Sequence, residues 1–283
     1  MTRSSDSSMA YLGFQLFSPS QLLRPYIKSF WYLQRANPLP TLHKEFMHPS
    51  GGYSIVFNLG DKLLLDEQPI PEKIFLDGAN TVSRKMGFSG YVEVLGIRFQ
   101  VGGAYPFLGV PLNELRNQPT FLDALPQPGL QELQERIQEA KTLPARIALL
   151  EEWLLNRLRI GQEPSDIIPA SLALLLQGGW QKPMPELMQE LPISQRQLER
   201  LYQAQVGMSP KQFTKLLRVE KARLAIKQLK DQSLTRVGTD LGYFDQSHFI
   251  REFKSVIQMT PHEYLKRNFR IPQEYVKAGK SFK

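Results

Sequence analysis

Residues 194–213 read SQRQLERLYQAQVGMSPKQF, and residues 245–264 read DQSHFIREFKSVIQMTPHEY. A constant offset of 51 positions aligns the two without a gap. Leu198 then pairs with Phe249, Arg200 with Arg251, Tyr202 with Phe253 and Val206 with Ile257. Met208-Ser209-Pro210 falls on Met259-Thr260-Pro261, and Phe213 on Tyr264. The apolar members recur at helical spacing, so each copy predicts a helix with one buried face. Ser194 and Asp245 are N-caps whose side-chain oxygens accept from unpaired backbone N–H groups. Ser209-Pro210 and Thr260-Pro261 repeat the device, with proline at the first helical position where a missing N–H costs little. A shorter helix precedes each copy, MPELMQEL (184–191) and SLTRVGTDL (233–241), and Gly242 suits the turn between crossed helices.

The residues left facing outward carry the function. In the first copy they are Gln195, Arg196, Glu199, Arg200 and Gln203; in the second, Gln246, Ser247, His248, Ile250, Arg251 and Lys254. Glutamine and arginine read adenine and guanine edges by paired hydrogen bonds. This is the composition of a helix-turn-helix recognition helix, docked with its N-terminal end toward the bases. A helical bundle with a polar solvent face would explain either copy alone, but not two in register. The helix joining them, PKQFTKLLRVEKARLAIKQLK (210–230), would span about 30 Å, near the roughly 34 Å of one B-DNA turn. Two readers so spaced could enter successive major grooves without dimerisation. Lys211, Lys215, Arg218, Arg223 and Lys254 are candidates for phosphate contacts, which position but do not specify.

Charge supports this placement. The 283-residue chain has a net charge of +8, yet residues 1–182 are neutral, and the whole excess lies in residues 183–283. A neutral body with a basic C-terminal part points to a polyanionic partner. There are no cysteines, which excludes disulfides, thiolate metal sites and cysteine nucleophiles. No apolar run reaches membrane-spanning length, and MTRSSDSSMAY lacks a signal-peptide core, so a cytoplasmic location is expected.

The fold class expected is multidomain α+β. In the first half, 26–33, 53–59, 73–78, 82–88 and 91–99 are rich in β-branched and aromatic residues and are separated by turn formers, which predicts a small sandwich or barrel. Helices are expected at 129–141 and 145–160, then at 167–177, 184–191, 194–206, 210–229, 233–241, 245–256 and 261–268. The domains are accordingly 1–160, a linker at 161–166, a DNA-binding domain at 167–270 and a tail at 271–283, expected to be partly disordered.

GYFDQSHFIREFK, with GMSP and QMTP after the two second helices, resembles the AraC/XylS family of bacterial transcription regulators over about 167–268. The resemblance implies that 194–206 and 245–256 insert into neighbouring major grooves of promoter DNA. It puts base contacts at Arg196, Glu199, Arg200, Gln246, Ser247, His248 and Arg251. Gln258 stands where the family usually has glycine, which weakens the expectation of a left-handed helix end there. HPSGGYSIVFNLGD and GYVEVLGIRFQVGGAYPFLGVPLNEL resemble, less closely, the sensor-like domain found ahead of such modules. That likeness implies a cupin-like barrel that binds a small-molecule effector or forms a homodimer, and the family implies contact with RNA polymerase. It offers no effector residue by residue.

Other chemistry has little support. His43, Glu45 and His48 lie close together, but HKEFMH fits neither one helix face nor one strand face, so no metal site is assigned. Neither a nucleophile elbow nor a phosphate-binding glycine loop occurs, and no enzyme activity or cofactor is expected. Phe30, Trp31, Tyr32, Tyr53 and Phe57 could line a pocket, although such residues more often build a core.

Overall fold

The computed structural model describes residues 9–121, 129–229 and 234–270; the tail expected at 271–283 lies outside them. Ten strands form the N-terminal part: β1 (Gln15–Phe17), β2 (Ile27–Gln34), β3 (Leu39–Met47), β4 (Ser54–Asn58), β5 (Leu64–Leu65), β6 (Gln68–Pro69), β7 (Ile74–Asp77), β8 (Arg84–Gly90), β9 (Glu93–Phe99) and β10 (Pro119–Phe121). They make a six-stranded sheet in the order β1-β2-β9-β4-β7-β10 and a four-stranded sheet in the order β3-β8-β5-β6. All these pairings are antiparallel. The five strands expected from sequence are β2, β4, β7, β8 and β9. The sequence reading missed β3, whose outward positions are mostly polar, and the two- and three-residue strands, which are too short to show a period.

Alternation along the larger sheet sends side chains to two different cores. Leu33, Val56, Phe75 and Val94 face the smaller sheet and meet Leu65, Met86 and Phe88. Phe30, Tyr32, Ile55, Phe57, Leu95 and Ile97 face the other way, into a larger cluster. There α2 (Leu130–Glu139) and α3 (Leu143–Ile160) cover them with Leu130, Leu133, Ile137, Leu150 and Leu154. Before these come a short helix, α1 (Tyr105–Leu108), and a 3-10 turn at Leu112–Leu115, as the prolines of this stretch predict.

The helical part follows as α4 (Ile167–Leu176), α5 (Met184–Gln189), α6 (Gln195–Gln205), α7 (Pro210–Lys227), α8 (Leu234–Asp240), α9 (Gln246–Ile257) and α10 (Pro261–Arg270). Every expected helix is present, but α7 stops at Lys227, which shortens it to about 27 Å. The larger core runs without a break from the sheet into these helices, through Ile168, Tyr202, Phe213 and Phe253. Residues 161–166 hold neither helix nor strand, yet the segment is fastened. The Ser165 amide donates to Gln205 Oε1 at 3.0 Å, and Gly161 lies so close to the Pro106 carbonyl that a Cβ would meet it at 2.0 Å.

Candidate nucleic-acid interface and the cavity behind it

The repeat read in the sequence is a structural repeat. α5 precedes α6 as α8 precedes α9, and the start of each following helix is built alike. Ser194 Oγ accepts from the Gln197 amide while Gln197 Oε1 accepts from the Ser194 amide, a reciprocal capping box. Ser209 forms the same box with Gln212, and Thr260 with Glu263. Asp245 caps α9 through the His248 amide at 2.6 Å. Glu263 accepts from both the amide and the hydroxyl of Thr260, which holds its carboxyl below the usual range. Leu198 and Tyr202 of α6, and Phe249, Phe253, Val256 and Ile257 of α9, are buried.

The left-handed residue that ends each second helix also repeats. Gly207 has φ +86° and Gln258 has φ +65°, again 51 positions apart. Gln258 therefore adopts the conformation that the sequence reading did not expect of it, and its amide donates to the Lys254 carbonyl. At Gly207 glycine is needed twice over, because a Cβ would lie 2.0 Å from the Tyr53 hydroxyl. That hydroxyl donates to the Leu112 carbonyl at 2.6 Å inside the core.

The burial pattern leaves the proposed reading edges open. Gln195, Arg196, Glu199 and Arg200 are exposed on α6, as are Gln246, Ser247, Arg251 and Lys254 on α9. Gln195 Nε2 donates to Glu199 Oε1 at 3.0 Å, so these two side chains are held together. His248 is half-buried, with its ring edge-on to Tyr243 and Nε2 3.7 Å from Glu252. Lys211 is exposed and Lys215 partly so.

Two of the candidate phosphate contacts are engaged elsewhere. The Arg223 side chain is 13% exposed, with Nε and Nη2 on the Glu220 carboxylate at 2.8 and 2.6 Å and Nη1 donating to the Tyr264 hydroxyl at 3.3 Å. Burial opposes its charge, but the bonds to Glu220 outweigh burial and raise its pKa. It faces the sandwich rather than solvent, so a phosphate role does not fit it. Arg218 lies over the Tyr243 ring at 5.4 Å and 3.7 Å from Glu252, which ties α7 to α9.

Sequence reasoning passed over Phe244. It is 92% exposed, immediately before the Asp245 cap. A residue in that place ordinarily packs on the fourth helical residue. Its counterpart Ile193 does pack on the core, whereas in the second copy Tyr243 fills that space against Phe249, with ring centroids 5.0 Å apart. Phe244 is left beside the reading edge of α9. The signal available in sequence was two adjacent aromatics before one cap, of which only one can be the staple.

A cavity of about 470 Å³ opens where the sandwich meets α7 and α10. Its walls between the sheets are apolar, with Phe14, Trp31, Leu33, Val56, Met86 and Val94. Of the five aromatics offered as pocket residues only Trp31 lines it; Phe30, Tyr32, Tyr53 and Phe57 are core. Trp31 lies over Gly96, where a Cβ would meet the indole at 2.1 Å. The other end is polar: Glu45, His48, Asp77 and Arg98 from the sandwich, and Arg223, Lys227 and Arg267 from α7 and α10. His48 Nδ1 is 2.8 Å from Ser83 Oγ, and its ring meets Tyr264 edge-on. Burial, and then the Arg223 cation, push its pKa down to about 3. Glu45 accepts from Tyr11, whose ring His43 meets at a tilt, so two of the three residues weighed as a metal cluster share Tyr11 while His48 pairs with Ser83. The seam is closed further by the Ser83 amide on the Val256 carbonyl at 2.7 Å, Arg116 on Gln212 at 3.1 Å, and the Arg267 guanidinium 4.0 Å from the Phe46 ring centre.

Residues 187–267 match the family model described as Helix-turn-helix domain, and residues 15–120 match Domain of unknown function (DUF6597). An uncharacterized HTH-type transcriptional regulator of Haemophilus influenzae is 30% identical over 97 residues, 34% of this chain and 32% of that protein. The HTH-type transcriptional regulator MtrA of Neisseria gonorrhoeae is 34% identical over 74 residues, 26% of this chain and 24% of that protein. The chain thus spans about a third or less of the length of these relatives. Among solved structures, Vibrio cholerae ToxT bound to (E)-4-(8-methylnaphthalen-1-yl)but-3-enoic acid has a TM-score of 0.46 at 12% identity, over 84% of this chain and 99% of that one. That level of likeness assigns neither function nor ligand to this chain. Repeat, caps, exposed edges and family match agree at residues 187–267: this part of the chain is a helix-turn-helix domain.

Proposed function

We propose that this chain is a transcription regulator that grips promoter DNA with α6 and α9 in neighbouring major grooves, and that a small molecule in the cavity between sandwich and helices adjusts the grip. The observation that carries the reading is the pair of exposed polar edges at equivalent places of one structural repeat. Gln195, Arg196, Glu199 and Arg200 form one edge, and Gln246, Ser247, His248 and Arg251 the other. These are the proposed base contacts, with Lys211, Lys215 and Lys254 on phosphates; Arg218 and Arg223, engaged within the fold, are removed from that set. The basic charge of residues 183–283 supplies the sequence-independent part of affinity. The effector half of the proposal rests on the cavity, whose wall is shared by the two parts of the chain. A ligand touching both changes their relative stability, and so the population competent for DNA.

No helix among the described residues is long and apolar enough to cross a membrane, and a cytoplasmic location follows as part of this proposal. Contact with RNA polymerase and a homodimeric state extend it from the family resemblance. The test is selection of genomic fragments by the purified full-length protein, followed by footprinting. Two protected patches about one helical turn apart are expected for a single chain. A single patch, unaffected by changes in one of the two helices, would overturn the twin-prong reading.

A further inference from the structure

The cavity holds two ionisable groups of opposite sign that do not pair with each other. The register places Ser54 opposite Asp77 on one side and Arg98 on the other. Alternation turns all three toward the smaller sheet, and all three line the cavity. Asp77 and Arg98 are thus separated by the width of one intervening strand, roughly 10 Å between backbones. Arg98 is partly buried, and its one side-chain hydrogen bond among the described residues is to Ser50 Oγ at 3.3 Å, with no carboxylate within ion-pair distance. Burial lowers its pKa. Asp77 accepts from Asn80 Nδ2 at 2.9 Å and has no cation in ion-pair contact; burial raises its pKa. Glu220 acts on Arg98 from beyond ion-pair distance and is itself bonded to Arg223, so the partly buried guanidinium keeps capacity for an anion, as the partly buried carboxylate, with one neutral donor, keeps capacity for a second donor.

Resting on the effector reading above, we infer that the cavity binds an amphipathic acid whose anionic group lies on Arg98, whose adjacent hydrogen-bond donor lies on Asp77, and whose apolar body lies between the sheets against Trp31, Val56 and Met86. A 2-amino or 2-hydroxy acid with an apolar chain has this arrangement. The two unpaired groups select for it: a plain carboxylate satisfies Arg98 and leaves Asp77 unmet, and an alkylamine does the reverse. The cations of the same rim, Lys227 and Arg267, belong to α7 and α10, so the anionic end of the ligand is also drawn to the DNA-binding part. With Arg223 held by Glu220, the rim leaves three cations, Arg98, Lys227 and Arg267, against two acids, Glu45 and Asp77, and so favours an anion overall.

The experiment uses the full chain and four probes of equal chain length: 2-aminodecanoate, 2-hydroxydecanoate, decanoate and decylamine. Binding is read by thermal melting and by the fluorescence of Trp31, with Trp31→Phe identifying its signal. The amino and hydroxy acids are expected to bind roughly tenfold or more tighter than decanoate, one charge-assisted hydrogen bond being lost, and decylamine weakest. The better of the two acids tells whether the donor is an ammonium or a hydroxyl. Asp77→Asn should bring decanoate level with them, and Arg98→Gln should abolish binding of all three acids. Should Arg98→Gln fail to fold, the probe series on the parent chain still decides. Decanoate binding as tightly as the substituted acids would overturn the role of Asp77, and no binding by any acid would overturn the site. Retention of promoter fragments by the same preparation, without probe, reports separately on the DNA-binding reading.

Discussion

Gln258 and Gly207 occupy one position of the repeat, and exchanging their residue types should move stability in opposite directions. Gln258 sits at φ +65°, where a residue with a Cβ is strained by about 1–2 kcal/mol. Glycine removes the strain but adds unfolded-chain freedom worth roughly 0.4–1 kcal/mol. The side chain also gives up an exposed hydrogen bond from Nε2 to the Ser255 carbonyl at 3.2 Å, which contributes little in water. The balance for Gln258→Gly is a stabilisation of about 0.5–1 kcal/mol. Gly207→Gln incurs the same backbone strain and drives a Cβ to 2.0 Å from the Tyr53 hydroxyl. Tyr53 must then move and abandon the buried Leu112 carbonyl, a further cost of about 1–3 kcal/mol. The total for Gly207→Gln is a loss of about 2–5 kcal/mol. Urea titration followed by far-UV circular dichroism measures both, with the parent as reference. A destabilised Gln258→Gly, or both substitutions shifting the midpoint the same way, would refute the claim that the two helix ends are built alike but packed differently.

Arg200→Ala and Arg251→Ala should each weaken binding to the selected site by about 1–3 kcal/mol and relax base preference at one position, as read by gel shift on a site library. Lys215→Ala should lower affinity for all sequences alike and reduce the slope of log affinity against log salt by about 1. Arg223→Ala should instead leave that slope unchanged and lower the denaturation midpoint, because it strands the partly buried Glu220 carboxylate. Phe244→Ser should leave the melting temperature within a degree or two, since the ring packs on nothing, yet weaken DNA binding; an unchanged affinity would remove Phe244 from the interface. His48 is held neutral, with its pKa pushed down to about 3 against an ordinary 6.5, so between those values the unfolded chain takes up a proton that the folded chain refuses. Stability should fall as pH drops through that window, by a few kcal/mol at most, and His48→Gln should flatten the loss relative to the parent, while Asp77 and Glu45, both raised by burial, pull the other way in both proteins.

What could be read from the chain depended on how local the determinants were. The twin motif was legible because caps, proline starts and apolar spacing act within about twenty residues, and a second copy confirms each assignment. The strands β2, β4, β7, β8 and β9 were legible for the same reason, through continuous apolar and aromatic runs. β3 was not: Leu39–Met47 lies largely toward solvent, and its place is set by pairing with β8, forty residues on. The fate of Arg223 was equally hidden. On a helical wheel it is one more cation of a basic helix, and only the docking of α7 on the sandwich shows that Glu220 and Tyr264 claim it. The cavity was the least legible feature, since Ser54, Asp77 and Arg98 come together only through a sheet register.

These hidden features converge on α7, the element that joins the two halves of the proposed regulator. Its buried side, with Phe213, Leu216, Val219 and Ala222, belongs to the continuous core. Its N-terminal part follows α6 directly and offers Lys211 to solvent, while Arg218 secures α9 through Tyr243. Its C-terminal part supplies Arg223 and Lys227 to the cavity rim. The element that spaces the two proposed prongs is therefore also a wall of the cavity, the proposed ligand site. In that proposal a ligand that draws Lys227 toward Arg98 acts on the spacer itself, and helix shifts of about 1–2 Å are of the size that switching transitions use. Coupling by this route requires the seam to stay packed. Weakening it at Arg116→Ala, which deletes the bond to Gln212 of α7, should diminish the effect of a bound ligand on DNA affinity more than it diminishes the binding of either partner alone.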